Sequence, residues 1–167
     1  MIFTTFTSEY KVSKMLIFSG EIQATFDEKG RVVLPSDYKN QMGGSVPGGQ
    51  LAIELDRHEK CLNVYPMATW EKRVLKISSK LNPDNKEHSK ILDNFLRRCK
   101  VISVPDNCRF SVPGIFLQKV GITKEVFFTG QFERLRIWDA TEYQRYAGNL
   151  DDYDDKFNQI YGGEEVM

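Results

Sequence analysis

Phe26-Asp27-Glu28-Lys29-Gly30-Arg31-Val32-Val33-Leu34-Pro35 is the stretch that decides how this chain is read. Asp27 can accept hydrogen bonds from the N–H groups of its own turn, and Gly30 can take a positive φ. Together they specify a tight β-turn. Lys29 stands near the tip and Arg31 follows the turn directly. Val32 to Leu34 read as a strand, and Pro35 opens a short helix at a position where its missing N–H costs nothing.

The pattern returns further along as Pro105-Asp106-Asn107-Cys108-Arg109-Phe110-Ser111-Val112-Pro113. Arg and Pro recur at one offset, 78 residues (109 − 31 and 113 − 35). In this second turn Asn107 is the residue expected to take the left-handed conformation that Gly30 takes in the first. Downstream, Leu62-Asn63-Val64-Tyr65-Pro66 resembles Leu135-Arg136-Ile137-Trp138-Asp139 at an offset of 73 (135 − 62). The Gly-rich stretch Gly43–Gly49, a longer loop in the first copy, is taken to absorb the difference of five.

Such internal similarity predicts two copies of one small β-rich unit, a fold that is mainly β with α (α+β). Each copy has a strand before the turn (Glu21 to Phe26; Val101 to Val104) and one after it (Arg31 to Leu34; Arg109 to Val112). Two more strands follow (Leu51 to Leu55 and Cys61 to Tyr65; Val126 to Thr129 and Leu135 to Trp138), and a helix closes each unit. Trp70, Val74, Ile77 and Leu81 form an amphipathic stripe in the first closing helix. Asn82-Pro83-Asp84 breaks it, and a second helix carries Ile91, Leu92, Phe95 and Leu96 on one face.

The organisation expected is therefore a poorly patterned extension over residues 1–14, with Met15 an alternative start. A first unit spans 15–81, a linking helix 82–98, a second unit 99–147 and an acidic tail 148–167. The tail holds Asp151, Asp152, Asp154, Asp155, Glu164 and Glu165, read as a short helix with a frayed end.

Composition bounds the function. The 167 residues carry 23 Lys and Arg against 23 Asp and Glu, so no overall positive charge favours nucleic acid. Binding to DNA then requires basic groups gathered on one face, through oligomerisation. The three cysteines, Cys61, Cys99 and Cys108, are odd in number and widely spaced, which argues against a disulfide framework or zinc site and fits a reducing cytosol. No apolar run approaches a membrane span. His58 and His88 stand apart from any metal-ligand spacing. The glycines at 43–44 and 48–49 lack the Lys-Ser/Thr of a phosphate-binding loop, and Cys108 beside Arg109 has no histidine near it in sequence. No catalytic set, metal site or cofactor is expected, and Trp70 and Trp138 are assigned to the core.

The turns hold the candidate chemistry. One reading of Lys29 and Arg31 is a hairpin with solvated charges. The other is an anion-facing loop, because Lys and Arg on a rigid hairpin can hold phosphates and Arg can reach guanine edges in the major groove. Recurrence of the arginine as Arg109 favours the second, since two like contacts at a fixed distance are what repeated DNA half-sites require.

From about Met15 to about Tyr146 the chain resembles the MraZ family. The match rests on Phe18, Gly20, Asp27, Lys29-Gly30-Arg31, Pro35, Tyr65-Pro66 and Trp70 in the first copy. In the second it rests on Arg109, Pro113, Gly121, Thr123-Lys124-Glu125-Val126, Gly130-Gln131-Phe132 and Trp138-Asp139. The resemblance implies two tandem AbrB-like units forming a double-split, swapped-hairpin β-barrel with flanking helices. It implies a homo-oligomeric ring, cytoplasmic and nucleoid-associated, that binds double-stranded DNA at direct repeats in the promoter of the division and cell-wall gene cluster and represses it.

The family's D-x-x-x-R motif is complete as Asp27 and Arg31. In the second copy Arg109 matches, Pro105 stands where the aspartate belongs, Asp106 lies one residue late, and Cys108 replaces the usual glycine. DNA contact is thereby expected from Lys29, Arg31 and Arg109, with Asp27, Gly30, Asp106 and Asn107 shaping the turns. The alternative from a different class is a protein-binding scaffold of the same fold, docking a partner through its acidic tail without touching DNA.

Overall fold

The computed structural model describes residues 15–148 and 152–162. The N-terminal extension and, in the acidic tail, Asp151, Glu164 and Glu165 lie outside them. Among these residues eight strands occur in the order expected: β1 (Glu21–Thr25), β2 (Arg31–Val33), β3 (Gln50–Leu55), β4 (Cys61–Pro66), β5 (Cys99–Ser103), β6 (Arg109–Ser111), β7 (Glu125–Gln131) and β8 (Arg134–Asp139). Among the described residues six helices accompany them: α1 (Ser36–Gln41), α2 (Met67–Ser78), α3 (Lys86–Arg97), α4 (Gly114–Lys119), α5 (Ala140–Gly148) and α6 (Tyr153–Tyr161).

The offset of 78 holds at every boundary of the repeated segment, relating β1 to β5, β2 to β6 and α1 to α4 residue for residue. Pro35 and Pro113 sit at the N-cap of α1 and α4, and their carbonyls accept the first helical N–H groups.

Strand pairing interleaves the two halves. The antiparallel sheet runs β1-β7-β8-β4-β3-β5, and β2 pairs with β6 in a separate two-stranded ribbon. Thus β1 of the first half adds to β7 of the second, with Glu21 opposite Thr129, and β5 of the second adds to β3 of the first, with Cys99 opposite Glu54. The order reads the same from either end once equivalent strands are matched. Each half therefore donates its first hairpin to the other, the exchange that a swapped-hairpin fold requires.

The same registers show where the first copy is longer. Glu54 and Thr129 are equivalent at an offset of 75, so three extra residues lie in the Gly-rich segment. The other two lie in the β3–β4 hairpin, where six residues separate the paired Leu55 and Leu62 against four between the paired Gly130 and Leu135 of β7–β8. The expectation that Gly43–Gly49 absorbs all five is corrected, because an insertion is tolerated at any exposed loop and sequence offset alone does not locate it.

Alternation along the strands sends Leu51, Ile53, Leu62, Val64, Phe128, Leu135 and Ile137 to an inner face, where they meet Val32 and Phe110 of the ribbon and the adjoining Leu34 and Val112. The ribbon thus covers one face of the sheet and closes the main core. Helices cover part of the opposite face. Ala52, Tyr65 and Trp70 form a second buried cluster, and Trp70 stacks on Phe95 of α3 at 5.9 Å between ring centroids. Trp138 packs under Tyr143 and Tyr146 of α5. Both tryptophans are core residues, as expected.

In α3, Phe95 and Leu92 are half-buried, whereas Ile91 and Leu96, read as part of the same stripe, are exposed. Asn85 caps this helix by accepting the N–H groups of Glu87 and His88 at 3.0 and 3.1 Å.

Candidate nucleic-acid interface

The first turn is built by one carboxylate. Asp27 Oδ1 accepts the N–H groups of Lys29 and Arg31, both at 2.9 Å, while the Asp27 carbonyl accepts Gly30 N–H at 3.1 Å. Gly30 takes φ +76°, a left-handed conformation that closes a β-turn with a bulge. Lys29 is left exposed at the tip. The backbone N–H of Arg31 is the main reason the Asp27 carboxyl titrates below its ordinary value; partial burial opposes this, and the Arg31 side chain and Lys29 N–H reinforce it. Asp27 is therefore a fixed negative charge over the whole neutral range.

The second turn keeps the backbone path with different chemistry. Cys108 N–H donates to the Pro105 carbonyl at 2.8 Å, matching Gly30 and Asp27. The left-handed residue is Cys108, at φ +60°, and not Asn107 as expected. Equal turn length places the bulge at the residue before the arginine in both copies. Asn107 instead supplies the side-chain acceptor, its Oδ1 receiving Arg109 N–H at 3.0 Å. The Asp106 carboxylate does not repeat the role of Asp27: among the described residues it accepts no hydrogen bond, and its backbone carbonyl receives Cys108 Sγ at 3.9 Å. Pro105 has no N–H, so the bond from Asp27 N–H to the Arg31 carbonyl (2.8 Å) has no counterpart.

The ribbon brings the two turns to one site. Arg31 lies opposite Ser111 and Arg109 opposite Val33, with flanking bonds from Leu34 N–H to the Cys108 carbonyl and Val112 N–H to the Gly30 carbonyl. Asp27 Oδ2 then accepts Arg31 Nε at 2.8 Å and Arg109 Nη1 at 3.4 Å. Both arginine side chains remain accessible, 41% and 43%, against 25% for Asp27. One edge of each guanidinium is held and other N–H groups face solvent, an arrangement suited to an external phosphate or base edge.

Lys29, Arg31, Arg109, Asp27, Gly30 and Asn107 are thus gathered in one region. The reach of Arg109 to Asp27 across the two halves was not legible in the sequence. The equal spacing of both arginines from their prolines was the only signal for it, through the β2–β6 pairing.

The other charged clusters serve packing. Glu54, buried on β3, receives Arg73 in a two-point ion pair (3.0 and 2.9 Å) and the Tyr65 hydroxyl at 3.0 Å. Asp56 and Arg136 pair at 3.1 Å with both side chains 8% accessible. Burial raises the Asp56 pKa, but bonds from Asn63, Glu59 and His58 and the charge of Arg136 outweigh it and hold it at about 2. Burial pushes the Cys61 thiol up to about 12. Among the described residues no three His, Cys, Asp or Glu side chains are grouped to hold a metal, and no helix is long and apolar enough to cross a membrane.

Comparison with known proteins places this geometry in context. The profile of the family described as "MraZ protein, putative antitoxin-like" matches residues 17–94 and 104–159. The chain is 32% identical over 139 residues to the transcriptional regulator MraZ of Klebsiella pneumoniae subsp. pneumoniae, covering 81% of this chain and 88% of that protein. Similar values hold for the proteins of the same name from Citrobacter koseri (32% over 138 residues) and Salmonella paratyphi B (31% over 138 residues), again across 81% of this chain and 88% of each relative.

Proposed function

Because the chain belongs to the MraZ family, we propose that it is a transcriptional regulator that binds double-stranded DNA through the paired turns of its β2–β6 ribbon. In this reading Arg31 and Arg109 contact base edges or phosphates, Lys29 holds backbone phosphate, and Asp27, Gly30 and Asn107 set the turns. The observation that carries it is the convergence of two accessible arginines, one from each half, on a single carboxylate. An arginine held by one edge keeps its remaining N–H groups in a fixed plane, so little rotational freedom is lost on binding.

The target is the promoter of the division and cell-wall gene cluster, read at direct repeats, and the effect is repression by occupying the promoter. A neutral chain has no long-range attraction for DNA, so affinity accumulates over several subunits of a homo-oligomeric ring that shows its turns on one face. The protein acts in the cytoplasm at the nucleoid and carries out no chemistry.

The test is binding of the full chain to the DNA fragment upstream of its own gene and to a scrambled fragment of equal length, across a salt series. Preferential binding that falls steeply with salt, and that Arg31→Ala abolishes while the oligomer persists, is the expected result. Equal weak binding to both fragments, or none, overturns the DNA reading in favour of a protein-binding scaffold.

A further inference from the structure

The residue-for-residue equivalence of β1–β2 and β5–β6 allows the surroundings of the two arginines to be compared position by position. Beside Arg109, between β5 and β6, lies an open groove of about 490 Å³ whose lining includes Lys100, Ser103, Pro105, Arg109 and Ser111. No acidic side chain lines it. Lys100 is exposed on β5, the strand at one edge of the sheet, opposite Ile53 of β3.

The first half differs at three of these five positions, always in the same sense. Lys100 is matched by Ile22, Ser111 by Val33 and Pro105 by Asp27, while Ser103 and Thr25 both carry a hydroxyl. Around Arg31 the matched set carries one positive and one negative charge. Around Arg109 it carries two positive charges. Arg109 is also held more loosely, 3.4 Å from Asp27 against 2.8 Å for Arg31.

We propose that the Lys100–Arg109 groove is a phosphate site that takes the DNA backbone, so that the two halves of one chain engage DNA unequally. This deepens the DNA-binding reading and rests on it. Lysine is a flexible point charge with rotatable donors, suited to a phosphate oxygen and carrying no base information. Ser111, two residues from Arg109 and on the same face of β6, adds a hydroxyl donor. Arg31, pinned by the turn carboxylate, keeps the planar fork that base-edge recognition requires. The fold repeats but the chemistry does not. A subunit thus has a defined direction on DNA, with a base-reading half and a backbone-holding half.

The experiment uses the full-length protein, the upstream and scrambled fragments, and a salt series, comparing wild type with Lys100→Gln and Arg31→Lys. Sedimentation of each variant records the oligomeric state. The expected result for Lys100→Gln is an intact oligomer, a loss of roughly five-fold per engaged subunit on both fragments alike, and a salt dependence shallower by about one released ion per engaged subunit. Arg31→Lys instead reduces the preference between fragments.

Unchanged affinity and salt slope in Lys100→Gln, with Arg31→Lys still impaired, overturns the groove and leaves the DNA reading standing. A loss confined to the upstream fragment overturns the phosphate assignment and makes Lys100 a base reader. Dissociation of the oligomer overturns it by placing Lys100 in a subunit contact. Wild-type protein that binds neither fragment removes the underlying reading itself.

Discussion

Arg31 and Arg109 come from opposite halves of the chain and share a single oxygen, Asp27 Oδ2, at 2.8 and 3.4 Å. One carboxylate therefore shapes its own turn, orients the arginine that follows it and tethers the arginine of the other turn. The halves meet on this atom because β2 and β6 pair in antiparallel register.

Asp27→Asn separates these roles. An amide oxygen still accepts the N–H groups of Lys29 and Arg31, so the turn persists, but the ionic hold on both guanidinium groups is lost. We expect DNA affinity to fall roughly ten-fold, the scale of one charge-assisted hydrogen bond, with little change in melting temperature. Removing a negative charge beside DNA raises affinity by itself, so the sign of the change is informative. Equal or tighter binding on a titration would show that Asp27 does not position the arginines.

Gly130 tolerates no side chain. A Cβ there collides with the backbone of Ser19 and Phe18, which brings the segment before β1 against the β7–β8 hairpin. Phe18 and Phe132 exchange backbone bonds across this contact, at 2.7 and 3.2 Å. Gly130→Ala must open the contact and release buried Phe18, a loss of about 3 kcal/mol or more in a denaturant titration. A variant within about 0.5 kcal/mol of wild type would mean the segment can shift freely.

Asp56 links stability to acid. Its pKa is depressed to about 2 in the folded chain, from an ordinary value near 3.8. A depressed carboxylate adds stability that is complete above the unfolded value and is lost as pH falls through the folded one. The shift corresponds to about 2 kcal/mol, withdrawn progressively between pH 4 and 2. In Asp56→Asn, unfolding free energy measured from pH 6 to 2 should lose that part of its slope. An identical acid profile in both proteins would remove Asp56 from the account.

Cys61 should be silent to alkylation. It is fully buried and its thiol titrates at about 12, so almost no thiolate exists at pH 8. Iodoacetamide followed by peptide mass mapping should leave it unmodified in the native protein and label it after unfolding. Native labelling at the rate of an exposed thiol would contradict the burial described.

What the sequence by itself determined is everything that depends on near neighbours along the chain. Periodicity located the strands and the paired long helices, because burial of one face imposes a two- or 3.6-residue rhythm. The recurrence of Arg and Pro at one offset exposed the repeat. Asp27 and Gly30 announced their turn, because an acceptor and a residue tolerant of positive φ act within four residues. The second turn was misread at Asn107, since two residue types there could meet the same local demand and only the completed backbone shows that Cys108 meets it. Tertiary structure alone decided which half each hairpin joins, since main-chain donors and acceptors are the same in every strand and carry no label for their partner. It alone brought Arg109 to Asp27, 82 positions apart, and gave Lys100 and Arg109 a common groove between two different strands. Contacts of that kind arise when the core closes, and no local pattern of side chains encodes them.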